Sequence, residues 1–214
     1  MAGDSVGTFT QALAALKRHG SGLLVTGAAA QETHLAACRR LLGDAGDDRQ
    51  RLVVLTDGVP GVDDRTSDDA ARVIDRRPAT RGATAAASPT ATDGPSDLVT
   101  LEREIVAAIE SIEAEAGSLD PAELRVCLDS LRTIVDGHDQ REVEQFLAGV
   151  LDAVRAVDGM CHVHFPVERD SEATRRFADL FDATIEVQLP ASGGDVEQCW
   201  HLHDPDISTN WLPL

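Results

Sequence analysis

Apolar positions along the chain follow two rhythms in turn: short continuous runs, and stretches that repeat every three or four residues. Val6, Phe9, Leu13 and Leu16 share one face of a first helix, which Gly20 closes. Gly22-Leu-Leu-Val-Thr26 reads as a buried strand ending at Gly27. A second helix over residues 31–42 turns Leu35, Cys38, Leu41 and Leu42 inward and stops at Gly43. Arg51-Leu-Val-Val-Leu-Thr56 is another buried strand, ending at Asp57-Gly58.

From 59 to 96 the rhythm fails. Asp63, Asp64, Asp68 and Asp69 suggest the opening of a short helix around residues 67–74. Residues 77–95 are almost entirely Ala, Thr, Pro, Gly and Ser, with too little apolar surface to offset their ordering entropy. The segment 59–96 is expected to be a mobile insertion within a single domain spanning 1–214, rather than a boundary between two.

Order resumes at Asp97, where Leu98, Leu101, Ile105, Ile109 and Ile112 form a helical stripe ending near Gly117. Leu124–Asp129 reads as a strand finishing on an acid. The capping pair Asp139 and Glu142 opens a long helix with Val143, Phe146, Leu147, Val150, Leu151, Val154 and Val157 inward. A strand over 160–165, a helix over 171–181 and a β-hairpin (183–189 and 196–203, joined across Ser192-Gly193-Gly194) complete the series. Alternating helices and nearly continuous apolar strands predict a three-layer α/β/α fold, with a mainly parallel sheet and a C-terminal antiparallel hairpin.

Charge sharpens this picture. Asp and Glu number 37 against 19 Lys and Arg, giving a net charge of −18, and Lys17 is the only lysine. The acids are spread along the chain, so their mutual repulsion calls for high salt rather than for one basic partner. Nucleic acid is excluded as a partner by the same charge. There is no membrane-length apolar run, and Met1-Ala2-Gly3-Asp4 opens no secretion signal, so a cytoplasmic protein is expected. Cys38, Cys127, Cys161 and Cys199 form no CxxC pair and read as buried thiols.

Two strand ends could carry chemistry. A phosphate-binding loop needs glycine, lysine and a hydroxyl residue closing G-x-x-x-x-G-K-[ST]. Counted from Gly27, those places hold Glu32, Thr33 and His34. The first repels phosphate and the second offers no cation. The other strand end, Val126-Cys-Leu-Asp129-Ser130-Leu131, has the form of a magnesium-holding acid strand.

Together these features resemble the RecA superfamily in its KaiC-like branch, as a degenerate member. Asp129-Ser130-Leu131 and the succession of later elements carry the likeness, which covers most of the chain outside 59–96. The chain also resembles a group of halophilic archaeal proteins, some with a loose transducer-like label. They share Phe181-Asp-Ala-Thr-Ile-Glu-Val187 and Trp200-His-Leu202, and an acid-rich, lysine-poor composition is itself similar to proteins of such organisms. The resemblance implies a RecA-like fold in which Asp129 is a vestigial magnesium acid and Asp57 a possible remnant of a water-activating carboxylate. No catalytic residue is expected, and no cofactor. The expected role is regulation or signalling through protein contacts, with a second copy, an active ATPase or a sensory regulator as partner. A nucleotide-sensing binder of ATP and Mg²⁺ without hydrolysis is the alternative. Contact with a partner is expected from the insertion and residues 211–214, although Trp211 is expected to fold back onto the core.

Histidines add one further expectation. His162 and His164 share a strand face, as do Cys199, His201 and His203, so neighbouring strands would bring them together. No pair has zinc-type spacing, and no metal is expected.

Overall fold

Strand β1 (Ser21–Thr26) is wholly buried because parallel neighbours flank it on both sides. The computed structural model describes residues 2–44, 46–57, 71–77 and 96–214. Their elements run α1 (Ala2–Arg18), β1, α2 (Gln31–Leu42), β2 (Gln50–Leu55), β3 (Ala71–Asp75), α3 (Ser96–Ala116), β4 (Leu124–Leu128), α4 (Arg132–Gly137), α5 (Gln140–Ala156), β5 (Met160–His164), α6 (Glu172–Ala178), β6 (Ala183–Gln188), β7 (Glu197–Leu202), β8 (Ile207–Ser208) and β9 (Leu212–Pro213).

One sheet joins all the described strands in the order β3-β2-β4-β5-β1-β6-β7-β8, with β9 also paired to β7. Every pairing from β3 to β6 is parallel, and those of β7 are antiparallel. Helices α3, α4, α5 and α6 pack on one face, against Leu24, Leu52, Val126, Leu128 and Val163. Helices α1 and α2 cover the other, against Leu23, Val25, Met160, Ile185 and Trp200. The fold is therefore three-layer α/β/α with a C-terminal antiparallel hairpin. Asp139 and Glu142 do form a reciprocal capping box on α5, satisfying backbone N–H groups at its start.

Two expectations fail. Residues 71–75 are a parallel edge strand, not part of a helix. With one neighbour, β3 needs no continuous apolar run; a backbone ladder to β2 holds it, and Arg72 and Arg76 tie its end of the sheet to Glu115 and Glu104 on α3. The rest of the expected insertion, 59–70 and 78–95, lies outside the described residues. Trp211 does not fold back: it is 38% exposed, and Leu214 packs beside the core in its place, its N–H donating to the Val196 carbonyl. The short α4, β8 and β9 were absent from the sequence pattern because each is too brief to show a period.

Candidate functional site

The crossover after β1 places α2 on one face of the sheet, whereas the crossover after β5 places α6 on the other. The adjacent ends of β1 and β5 therefore form a topological switch point, where open α/β sheets bind ligands. Gly27 begins the loop with φ at +128°, and an added Cβ would lie 2.2 Å from the Val187 carbonyl oxygen. Only glycine lets β6 pass so close. The Gly27 N–H donates to Val167 O at 2.8 Å, fixing the loop from the β5 side.

Beyond Ala30, the helix start has no side-chain cap. Glu32 points outward in its first turn, and Thr33 and His34 are buried. His34 turns back: its Nε2 lies 2.9 Å from the Gly27 carbonyl, and its Nδ1 lies 3.1 Å from His164 Nδ1 on β5. A cavity of about 410 Å³ beside the loop is lined, among the described residues, by Ala28–Ala30, Glu168, Glu186 and Leu189, with two carboxylates and no lysine or arginine in that lining. Arg169 reaches one of these carboxylates, its Nε 3.5 Å from Glu186 Oε2, while a group of four cations gathers at the opposite end of the sheet. There Lys17, Arg40, Arg49 and Arg125 line a cavity of about 370 Å³, and burial lowers Arg125 to about 10.

Asp129 is buried where β4 ends. Its Oδ1 accepts from the Thr56 N–H at 2.7 Å and lies 2.8 Å from the Thr56 hydroxyl, clamping the ends of β4 and β2 together. Asp129 is two strand positions from β1, roughly 10 Å across the sheet, and Asp57 follows β2, three positions and roughly 14 Å away. Thus Gly27 and His34 meet, while Asp129 and Asp57 stand apart from them.

The histidine grouping read from the sequence does not form, because β1 and β6 separate β5 from β7. Cys199, His201 and His203 are occupied locally, by the Thr209 carbonyl, the Ser208 hydroxyl, and the Phe181 carbonyl with the Thr184 hydroxyl. His162 and His164 instead face α2, and a different set assembles there. Cys38 of α2, Cys127 of β4, His162 and His164 place one donor atom each within 4.8 Å of one another, all buried. Cys38 Sγ lies 3.2 Å from Cys127 Sγ and 3.5 Å from His162 Nε2. Hydrogen bonding with Cys127 holds the Cys38 thiol well below its ordinary range, against the opposing effect of burial. Burial pushes His164 down to about 3, so its ring is neutral. Sequence spacing could not reveal this set, since Cys38 and Cys127 are 89 residues apart; only the i, i+2 face shared by His162 and His164 was legible.

A protein-family model, described as a family of unknown function (DUF7504), matches residues 20–187, from the start of β1 through β6. The chain belongs to that family. The match takes in the Gly27 junction, Asp129 and the whole Cys/His cluster. Among the curated proteins none matches the chain.

Proposed function

We propose that the chain is a RecA/KaiC-like module without catalysis, which serves regulation or signalling through contacts with another protein. The observation that carries this reading is the inward turn of His34 onto the Gly27 carbonyl. The place where a phosphate-loop hydroxyl would meet magnesium is given over to an internal tie between helix and loop. Carboxylates line the adjoining cavity, and the cationic cavity lies at the wrong end of the sheet. Asp129 is engaged by Thr56. These arrangements favour neither binding nor hydrolysis of a nucleotide triphosphate at the junction.

Contact with a protein is supported by exposed apolar side chains at one end of the hairpin. Gln188 pairs with Glu197, and Glu197 with Pro213, which brings Leu189 and Leu212 to the same end of the sheet. They are 56% and 40% exposed, and Trp211 adjoins them. Calorimetric titration of ATP and Mg²⁺ in about 2–3 M KCl, where surface repulsion is screened, tests the reading. It predicts no heat and no thermal shift at millimolar ATP. Saturable heat would establish the nucleotide-sensing alternative.

A further inference from the structure

We propose that Cys38, Cys127, His162 and His164 bind a zinc-type divalent ion in a closed, four-coordinate site that staples α2 to β4 and β5. This inference is independent of the functional reading above.

Geometry comes first. Zinc bonds of about 2.3 Å to sulfur and about 2.0–2.1 Å to nitrogen set donor separations of roughly 3.3–3.8 Å in a tetrahedron. The observed 3.2 and 3.5 Å contacts, within a set spanning no more than 4.8 Å, need adjustments of a few tenths of an ångström to about one. The donors come from one helix and two adjacent strands, so the backbone already holds them.

Proton placement is the second, independent observation. The Gly27 carbonyl can only accept, so His34 must donate to it from Nε2. The 3.1 Å contact between the two Nδ1 atoms takes one proton, and where His164 supplies it His34 Nδ1 accepts. That leaves His164 Nε2 with its lone pair free. This atom is buried and has no hydrogen-bond partner. In metal-bound imidazoles the second ring nitrogen is held by an outer hydrogen-bond acceptor, usually a carboxylate or carbonyl, and here His34 takes that place.

Charge and chemical softness are the third. On binding, each thiol releases its proton to solvent. Two thiolates then neutralise the dication, and a neutral assembly can stay in the core without a further counter-charge. Sulfur and imidazole donors select zinc or a similar thiophilic ion over calcium or magnesium. Four protein donors leave no open position, which marks the site as structural.

The test uses the full chain, stripped of metal under reducing conditions and titrated with Co²⁺ at high ionic strength. We expect saturation near one equivalent, with thiolate-to-cobalt absorption in the near ultraviolet and strong visible bands of a tetrahedral centre. Zinc should displace the colour. Cys127→Ser and His164→Gln should abolish it, and Cys199→Ser should leave it unchanged. Should the ligand variants fail to fold, the wild-type melting temperature decides: zinc must raise it and a chelator reverse the rise. Failure of the reduced protein to take up cobalt would overturn the proposal. So would cobalt absorption that survives in a Cys38→Ser/Cys127→Ser double variant.

Discussion

His34 Nδ1 and His164 Nδ1 lie 3.1 Å apart, joining α2 to the end of β5 through two imidazoles. The Gly27 carbonyl can only accept, so His34 donates from Nε2, and a neutral His34 ring then takes the shared proton from His164. Long-range ¹⁵N–¹H NMR should therefore find His34 as the Nε2–H tautomer and His164 as the Nδ1–H tautomer. His34→Gln should weaken zinc about 10- to 100-fold, as loss of a residue that orients a metal-bound imidazole does, in a competition titration against a chromophoric chelator. Unchanged affinity would mean that His34 orients nothing.

Asp129 is placed to hold two strands together. One oxygen takes the backbone N–H of Thr56 and faces its hydroxyl, both inside the protein. Asp129→Ala should cost about 1–3 kcal/mol, since a buried acceptor is lost and the Thr56 N–H is stranded. A double-mutant cycle with Thr56→Val, read by chemical denaturation, should show coupling of about 0.5–3 kcal/mol. A carboxylate kept only to serve magnesium would show none.

Gly27 is a steric requirement as well as the start of the loop. Its positive φ and the Val187 carbonyl, 2.2 Å from any added Cβ, oppose a side chain together. Gly27→Ala should cost at least about 2 kcal/mol, because β6 or the loop must shift. A denaturation midpoint within error of wild type would show that the loop relaxes freely.

The sequence exposed those parts of the fold whose signal is local. The stripe from Leu98 to Ile112, the Asp139–Glu142 cap and the apolar run of β1 each declare an element within one window of residues. Strand β3 was hidden because an edge strand held by Arg72 and Arg76 needs little apolar pattern. The candidate site was only half legible. Glu32, Thr33 and His34 could be counted from Gly27, but the inward turn of His34 depends on β5 lying beside β1. The Cys/His cluster depends on strand order alone. His162 and His164 share a face in the sequence pattern, but no local feature states that β4 and α2, not β7, adjoin that face.

Net charge predicts a salt response. At −18, with the acids spread along the chain, repulsion acts over the whole folded surface. Screening shortens from about 10 Å at 0.1 M to about 3 Å at 1 M. The melting temperature should climb steadily with KCl across that range, and sucrose at matched osmolality should not reproduce the rise in full. A flat curve would mean that the acidic groups are already far enough apart not to matter.

His201 offers a pH test away from the cluster. Burial lowers its pKa below 6.5, Arg169 lowers it further, and Glu186 and Asp170 pull the other way. The Glu186 Oε2 lies 3.8 Å from His201 Nε2 and 3.5 Å from Arg169 Nε, so one carboxylate is shared between two cations when the ring is protonated. On acidification the unfolded chain takes up its proton first, near 6.5, and the folded chain later. The contribution to stability is therefore present above that value and is lost as pH falls toward the folded pKa. Part of the ring is accessible, so the loss is small, and NMR titration of its Cε1 proton is the sensitive measure. The midpoint should lie below 6.5, fall further in Glu186→Gln and rise in Arg169→Gln. A wild-type midpoint above 6.5 would show that the Glu186 pair outweighs burial and Arg169, reversing the sign of the whole effect.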